Sequence, residues 1–431
     1  MRSNGPTVPL RLYRGLTSAA SLLAPAWLAH RVRKGKEDPR RIAERRGIAS
    51  AERPKGPMVW VHGASVGEIL SILPLTERLL ERGFRVLVTS GTLTSSRILA
   101  RRAHPGLIHQ FVPLDARRFV ARFLDHWQPD LALMAESELW PNLMGELSRR
   151  GTPLVLVNGR LSERSGERWA KLPKSARTLL GTVDLCLAQS HEDAERFHAL
   201  GAPRVAATGN LKFDVPPPEA DPEALAEMQA QVGDRPVLLA ASTHPGEDES
   251  VIETHLRLRD SLPGLLTIIV PRHPERGEAI EALAAQAELD TIRRATGYLP
   301  GDATEIYVAD TIGELGIFYR LAPVVFVGGS LVRHGGQTPI EAAKLGAVVL
   351  HGPHIWNFGA LYAQLDADGG ALPVSDAESM AEAVYTLFAD HDLYQRTAEA
   401  AWRTTEALSG AMERTLTAIE PYLAQIRLAR R

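Results

Sequence analysis

The chain has 431 residues, of which 45% are hydrophobic and 23% are charged, and its formal net charge is −2. This composition argues against an intrinsically disordered chain and is ordinary for a folded protein of two domains. The near-neutral charge gives no general reason to expect a nucleic-acid partner. The single cysteine, Cys186, excludes a disulfide framework within the chain.

The first fifty residues differ from the rest in charge, with eleven Arg and Lys against three acidic residues. Their net charge is therefore +8, which leaves −10 for the remainder. Residues 16–29 form an apolar run that Pro25 interrupts and that is shorter than the roughly 20 residues of a membrane-spanning helix. The basic cluster directly after the run argues against a cleaved secretory signal. We expect residues 1–50 to form a monotopic anchor on an anionic membrane surface, with a helix packed on the domain surface as the alternative.

From residue 51 onward, short runs rich in Val, Ile and Leu alternate with helix-like stretches. Nearly continuous apolar runs of this length are typical of strands buried on both faces, as in parallel sheets. The predicted strands are residues 58–62, 85–89, 131–134, 153–157, 185–188 and 205–208, and then 236–240, 266–270, 305–308, 324–327 and 347–350.

Residues 214–223 contain three consecutive prolines and separate these two series of strands. Two Rossmann-like domains facing an interdomain cleft form the GT-B layout, in which ligands bind beyond the carboxyl ends of the strands. We predict an α/β protein of this class with an N-terminal membrane-associated helix, although the fold alone does not give the function. The predicted parts are the anchor 1–50, a domain 51–213, a linker 214–234, a domain 235–395 and terminal helices 396–431 that pack back toward the first domain.

Polar and acidic residues follow the predicted strands of the first half. Ser65 and Glu68 have the spacing of a capping box, and Glu68 is interpreted equally well as a general base. Glu136 and Glu138 flank Ser137 directly after a strand, and we interpret them as functional acids, with a helix start as the alternative. Arg160 and Arg164 follow the next strand and are expected to meet phosphate or carboxylate groups, with plain helix-surface charges as the alternative. Lys212, just before the linker, is expected to meet an anionic group.

In the second half, Arg272 follows a strand in the segment PRHPER, residues 271–276. Two glycine pairs before a predicted helix are typical of a phosphate cradle. Glu341, just inside that helix, is placed to hydrogen-bond a ribose. No His, Cys or acidic residues have the spacing of a metal site, so we expect neither a metal nor a cofactor. The cradle residues are Gly328, Gly329, Ser330, Gly336 and Gln337.

Taken together, seven segments in order resemble the 3-deoxy-D-manno-octulosonic acid (Kdo) transferase family of lipopolysaccharide synthesis. They are HGASVGE (62–68), ESELWPN (136–142), NGRLSERS (158–165), GNLKFD (209–214), PRHPER (271–276), VGGSL (327–331) and GGQTPIEAA (335–343). The resemblance implies inverting, metal-independent transfer of Kdo from CMP-Kdo to a glucosamine hydroxyl of a tetra-acylated lipid A precursor. It also implies a location on the cytoplasmic face of the inner membrane, with the basic N-terminus as the anchor.

The resemblance also implies roles for single residues. Glu68 falls on the family's proposed catalytic base, and Glu136 and Glu138 fall on an acidic motif near the acceptor and the donor sugar. Lys212 and Arg272 are expected to meet the Kdo carboxylate or the CMP phosphate. The residues expected to hold CMP are Gly328, Gly329, Ser330, Gly336, Gln337, Glu341 and Asn357, and Ser65, Arg160 and Arg164 are expected to contact the acceptor or a phosphate.

The chain departs from the family at Gln337 and Thr338, where the family commonly has His-Asn. This change affects the expected donor contacts more than the reaction. Two alternatives stay open at this point. One is another GT-B enzyme that acts on a nucleotide sugar, and the other is a non-catalytic membrane-associated binder of nucleotide or lipid.

Overall fold

A computed structural model gives the fold and describes residues 6–102, 104–214 and 216–429. The chain divides into two compact units. Unit 1 comprises Met1–Val215 and Ser409–Arg431, and unit 2 comprises Pro216–Leu408. Each unit is built on one seven-stranded sheet in which all described strand pairs are parallel. The predicted α/β class with two Rossmann-like domains is therefore confirmed.

The sheet of unit 1 has the strand order β3-β2-β1-β4-β5-β6-β7. Its strands are β1 (Met58–His62), β2 (Arg85–Ser90), β3 (Leu107–Phe111), β4 (Leu131–Ala135), β5 (Leu154–Gly159), β6 (Leu185–Ala188) and β7 (Val205–Ala207). The helices are α1 (Val8–Arg33), α2 (Val66–Glu81), α3 (Leu93–Ala100), α4 (Arg117–Trp127), α5 (Pro141–Arg150), α6 (Glu163–Ala170), α7 (Pro173–Leu180) and α8 (His191–Ala199).

The sheet of unit 2 has the order β10-β11-β9-β8-β12-β13-β14. Its strands are β8 (Val237–Thr243), β9 (Leu266–Pro271), β10 (Thr291–Arg293), β11 (Ile306–Val308), β12 (Val324–Val327), β13 (Val348–His351) and β14 (Ala371–Pro373). The helices are α9 (Pro222–Val232), α10 (Glu247–Leu258), α11 (Gly277–Gln286), α12 (Leu315–Leu321), α13 (Ile340–Lys344), α14 (Gly359–Ala367), α15 (Ala377–Ala389) and α16 (His391–Leu408). A last helix, α17 (Ala411–Ala429), belongs to unit 1.

The first strand shows why the apolar runs are almost continuous. Val59 and Val61 belong to one hydrophobic cluster of unit 1, whereas Met58 and Trp60 belong to the cluster on the other face of the sheet. All four side chains are fully buried. Because helices cover both faces of a parallel sheet, successive strand residues must all be apolar.

Helix α1 continues through Pro25, although Pro25 was expected to interrupt the apolar run. A proline cannot donate to the carbonyl four residues earlier, which here belongs to Ser21. The guanidinium of Arg118 on α4 donates to that carbonyl instead. The lost backbone hydrogen bond is thereby replaced, and the helix stays whole. Among the residues that the structure describes, no helix is long and apolar enough to cross a membrane.

Two faces of α1 are apolar. One face, which includes Leu10, Ala24 and Leu28, is buried against the unit. The opposite face has a row of exposed apolar side chains spaced mostly three or four residues apart. This exposed stripe consists of Val8, Leu12, Leu16, Leu22, Leu23 and Trp27.

The structure differs from the predicted boundaries at two places. Helix α9 begins at Pro222, inside the predicted linker 214–234, because Asp221 caps it and a proline suits the first helical position. The terminal region 396–431 also divides, since α16 belongs to unit 2 and only α17 belongs to unit 1. The break falls at Ser409 and Gly410, where the Asp214 carboxylate accepts the N–H of Gly410 at 2.6 Å.

The apolar face of α17 completes the hydrophobic cluster that α2 forms with the sheet of unit 1. We expect Ile419→Ala to lower the free energy of unfolding by about 2–5 kcal/mol, because it removes a fully buried side chain from that cluster. Urea unfolding followed by tryptophan fluorescence measures the change. Leu428→Ala on the same helix is the control, since Leu428 is 71% exposed and its loss should change stability by less than about 0.5 kcal/mol. Equal effects of the two variants would contradict this packing.

Candidate functional site

The predicted site residues of unit 1 follow the carboxyl ends of its parallel strands. Strands β1 and β4 are neighbours, with His62 paired to Met134. The segment that carries Glu68 and the segment that carries Glu136 therefore leave the sheet side by side. The segment with Arg160 follows β5, which pairs with β4 on its other side.

Glu68 lies in the first turn of α2, and each of its carboxylate oxygens accepts one hydrogen bond at the start of that helix. Ser65 caps the helix and donates its hydroxyl to Glu68 Oε1 at 2.7 Å, and the Ala64 N–H donates to Glu68 Oε2 at 2.8 Å. Ser65 is the predicted N-cap, since its hydroxyl accepts the Glu68 N–H at 3.3 Å, but the Glu68 carboxylate accepts from Ala64 and not from the Ser65 N–H, so the reciprocal half of the predicted capping box is not formed. This arrangement does not exclude the second interpretation, because an ionised carboxylate has about four acceptor positions and two of them are used here.

Glu136 and Lys212 form an ion pair, with Lys212 Nζ 3.1 Å from Glu136 Oε1. Glu136, the first residue after β4, has a positive φ of 54°, a conformation that is unusual outside glycine. Both side chains stay partly exposed. Glu136 Oε2 has no hydrogen bond from any described residue, so it remains open to a ligand.

Glu138 receives a 2.6 Å hydrogen bond from the indole N–H of Trp140. His62 Nε2 lies 3.7 Å from the same oxygen, is fully buried, and has no hydrogen-bond partner among the described residues. Burial by itself raises the pKa of Glu138, but the neighbouring His62 and the Trp140 indole outweigh it and leave that pKa below its ordinary value. Glu138 is therefore ionised at neutral pH. The contact between His62 and the Glu138 carboxylate was not predicted from the sequence.

Arg160 and Arg164 belong to a larger set of exposed cations on the loop after β5 and on α6 and α7. None of these side chains makes a hydrogen bond or an ion pair with a residue that the structure describes. Only two acidic residues, Glu163 and Glu167, lie among them. We call this set the basic rim; it consists of Arg160, Arg164, Arg168, Lys171, Lys174 and Arg177.

In unit 2, the expected phosphate cradle at the first glycine pair is already occupied. The buried carboxylate of Glu247 accepts the N–H groups of Gly329 at 2.7 Å and of Ser330 at 2.9 Å. It also accepts the N–H groups of His244 and Leu331, each at 2.9 Å. These donors therefore hold the turn together and are not open to a phosphate, which corrects the expected role of the first glycine pair. Glu247 occupies the anion position itself.

Gly328 shows why this turn requires a residue without a side chain. A Cβ at Gly328 would lie 2.5 Å from the carbonyl oxygen of Ser242. The adjacent strands β8 and β12 bring these two segments into contact, with Val327 paired to Ala241. The glycine pair thus serves the close approach of two backbones.

The second glycine pair lies beside a cluster of imidazoles. The rings of His244 and His334 are 3.9 Å apart, and Gln337 Nε2 lies 3.3 Å from His244 Nε2. Burial and the nearby His334 keep the pKa of His244 below its ordinary value, so this ring is neutral at pH 7. No role for either histidine was predicted from the sequence. Asn357 donates to the carbonyl of Gly336 at 3.3 Å and fixes the turn.

Arg272 and Glu341 keep free binding capacity. Arg272 is exposed after β9 and makes no ion pair with a described residue, whereas Arg276 is held by the buried Asp248. Burial raises the pKa of Glu341, and its buried Oε2 has no hydrogen-bond partner among the described residues. An unpaired buried carboxyl oxygen is costly and suits a hydroxyl donor from a ligand.

The sequence of this chain is similar to those of known proteins. Residues 40–215 match the family model described as "3-Deoxy-D-manno-octulosonic-acid transferase (kdotransferase)". The chain is 35% identical over 396 residues to the 3-deoxy-D-manno-octulosonic acid transferase of Haemophilus influenzae, which covers 89% of this chain and 91% of the relative. It is 37% identical over 387 residues to the enzyme of the same name from Bordetella pertussis, which covers 88% and 90%.

Among solved structures, the chain is similar to a glycosyltransferase from Rickettsia africae. The TM-score is 0.57 at 13% identity, and the match covers 86% of this chain and 99% of the other. At this identity the likeness shows the fold alone, and it supports the GT-B class.

The hydrogen bonds from four backbone N–H groups to Glu247 predict that this residue is important for the stability of unit 2. We expect Glu247→Ala to destabilise the protein by more than about 3 kcal/mol, because it leaves several buried donors without an acceptor. Glu247→Gln should have an intermediate effect, since its amide NH₂ faces N–H groups. Urea unfolding measures both changes. The control is Glu253→Ala on the same helix, an exposed residue paired with Arg257 that should contribute less than about 1 kcal/mol. A Glu247→Ala protein as stable as the control would overturn this account.

Proposed function

Because the chain belongs to the Kdo transferase family of glycosyltransferases, we propose that it transfers Kdo from CMP-Kdo to a glucosamine hydroxyl of a tetra-acylated lipid A precursor. The observation that carries this proposal in unit 1 is the acidic cluster beside the ends of β1 and β4. Unit 1 supplies the base and the acceptor site in this scheme, and unit 2 supplies the donor site.

The reaction that we propose needs one proton acceptor and one stabilised leaving group. Glu68 takes the proton of the acceptor hydroxyl while its oxygen forms a bond to C2 of Kdo. The bond between C2 and the phosphate oxygen breaks, and its electron pair leaves with CMP. The new bond forms on the face opposite to the leaving group, so the configuration at C2 inverts. The open oxygens of Glu136 and Glu138 are suited to accept hydrogen bonds from sugar hydroxyls.

On the donor side, the free guanidinium of Arg272 is suited to the phosphate of CMP-Kdo. The unpaired oxygen of Glu341 is suited to a ribose hydroxyl. The neutral His244 and Gln337 add hydrogen-bonding groups beside the second glycine pair. The proposed reaction is metal-independent, with charge stabilisation assigned to these protein groups.

We also propose that the protein acts on the cytoplasmic face of the inner membrane. The exposed stripe on α1 has no partner in the described part of unit 1, and exposed apolar patches of this kind are typical of membrane or protein contacts. The basic rim and the +8 charge of the first fifty residues favour an anionic lipid surface.

The first test is CMP release from CMP-Kdo with the tetra-acylated precursor and without added metal. Wild type should turn over in the presence of a chelator. Glu68→Ala and Glu68→Gln should each lower kcat by about 10²-fold or more, because general-base catalysis typically contributes 10²–10⁴-fold. If wild type binds CMP but releases none from CMP-Kdo, the transferase proposal fails and the protein is a binder.

The control separates catalysis from capping of α2. Thr92→Ala removes a comparable cap from α3, where Thr92 accepts the Ser95 N–H at 3.1 Å. It should cost about 1 kcal/mol of stability and leave turnover within twofold of wild type. Loss of turnover in Thr92→Ala equal to that in Glu68→Gln would show that helix stability, and not a base, limits the reaction.

The membrane proposal has its own test. Replacing Leu16 and Leu23 together with Glu should reduce cosedimentation with anionic phospholipid vesicles at least tenfold, because two charges enter the exposed stripe. The control is Leu256→Glu, at a similarly apolar position that is 41% exposed in unit 2. Unchanged vesicle binding by the double variant would exclude the stripe as the membrane contact.

A further inference from the structure

A pocket of about 460 Å³ lies in unit 1 beneath the N-terminal half of α1. One wall is α1 itself, a second is the segment after β4, and a third is formed by α6 and α7. Such a volume is within the usual range for small-molecule sites. The apolar residues that line it include Leu10, Leu139, Trp140, Trp169 and Leu172. We call this pocket the α1 slot.

Hydrogen bonds fix α1 as the wall of the slot. Tyr13 donates to the buried carboxylate of Asp115 at 3.0 Å, and the same carboxylate accepts the N–H groups of Asn142 and Leu143 at the start of α5. At the other side, the hydroxyls of Thr7 and Ser175 lie 2.6 Å apart. These hydrogen bonds tie α1 to the rest of unit 1, so α1 has a structural role besides its exposed stripe.

Two neighbouring features indicate what the slot binds. Glu138 is one of the residues that line the slot, and its ionised carboxylate belongs to the proposed acceptor site. The basic rim continues through α6 and α7; Trp169 lies on α6, and Leu172 directly precedes α7. An apolar pocket bordered by unpaired cations complements a molecule with an alkyl chain and phosphate groups. The exposed stripe on α1 adds a lipid-facing surface to the same helix.

We propose that the α1 slot binds an acyl chain of the acceptor lipid while the basic rim binds its phosphates. This inference rests on the proposed function, because it concerns the acceptor of that reaction. The chain in the slot positions the acceptor hydroxyl near the acidic cluster. Each methylene buried in the slot changes the affinity for the acceptor about fourfold. A few buried methylenes therefore suffice to distinguish an acylated acceptor strongly from one without acyl chains.

The test compares two acceptors, the tetra-acylated precursor and the same phosphorylated disaccharide without acyl chains, at one detergent concentration. For wild type, the KM of the chain-free acceptor should be at least 100-fold higher. Leu172→Glu should raise the KM of the acylated acceptor at least tenfold, and the increase should be confined to that substrate. The KM for CMP-Kdo and kcat at saturating acceptor should stay within twofold.

Leu172→Glu is a mild change for folding. Leu172 is 45% exposed, and it precedes α7, where a negative charge is favourable at the helix start. Leu256→Glu in unit 2 is the matched control and should change neither KM. If Leu172→Glu affects both acceptors alike, or no more than Leu256→Glu does, the slot does not bind the chain.

A second readout does not depend on turnover. A precursor with a photoreactive diazirine in the middle of an acyl chain should label peptides that contain residues 137–141 or 169–175. Labelling should fall at least fivefold in Leu172→Glu, and excess unlabelled precursor should compete. Labelling of the slot by a photoreactive phospholipid that excess precursor does not displace would assign the slot to bulk lipid and overturn the inference. If wild type labels as expected but transfers no Kdo to either acceptor, the proposed function fails while the slot stands.

Discussion

The parallel pairing of β1 with β4, and of β8 with β12, is the constraint on which both candidate sites depend. At each of these pairs the strand order reverses, so the connections that follow the two strands diverge and leave a gap at the carboxyl edge. In unit 1 this geometry places the segment of Glu68 beside that of Glu136. In unit 2 it places Glu247 beside the turn that follows β12. In both units, the sheet brings together segments that are far apart in the sequence.

Acidic residues near helix starts divide into those that hold backbone and those that stay available. Glu247 has both oxygens occupied by N–H groups, and Asp115 holds α5 in the same way. Glu136 and Glu138 each keep one oxygen without a bond from the described residues. Glu68 lies between these two classes, since its bonds to Ser65 and Ala64 leave acceptor capacity on both oxygens. A carboxylate by itself therefore does not identify a functional residue. The number of acceptor positions left open on it distinguishes carboxylates available to a substrate from those that only hold the backbone.

All eleven strands predicted from apolar runs are present, whereas β3, β10 and β14 were missed. Each missed strand lies at an edge of its sheet, where one side has no neighbour and fewer apolar residues are required. The segments of the candidate site were recognised from their residues. The role of Glu247 was not, because it depends on a partner 82 residues away across the sheet. The N-terminal helix was predicted, but its continuation through Pro25 could not be predicted for a similar reason, since the compensating donor is Arg118 on another helix.

Helix α1 connects the fold to the proposed chemistry because its faces have different partners. Its buried face packs on unit 1. Asn142 on α5 donates to the Thr17 hydroxyl at 2.9 Å, and the hydroxyls of Thr7 and Ser175 lie 2.6 Å apart, so α1 is tied to α5 and α7. Packing within the unit explains that face but not the exposed stripe, whose leucines would be costly in water without a second apolar phase. A lipid surface against the stripe, an acyl chain in the α1 slot and phosphates on the basic rim would satisfy all three features at once. The acceptor would then be selected as an amphiphile, and a soluble sugar with the same hydroxyl would engage only the acidic cluster.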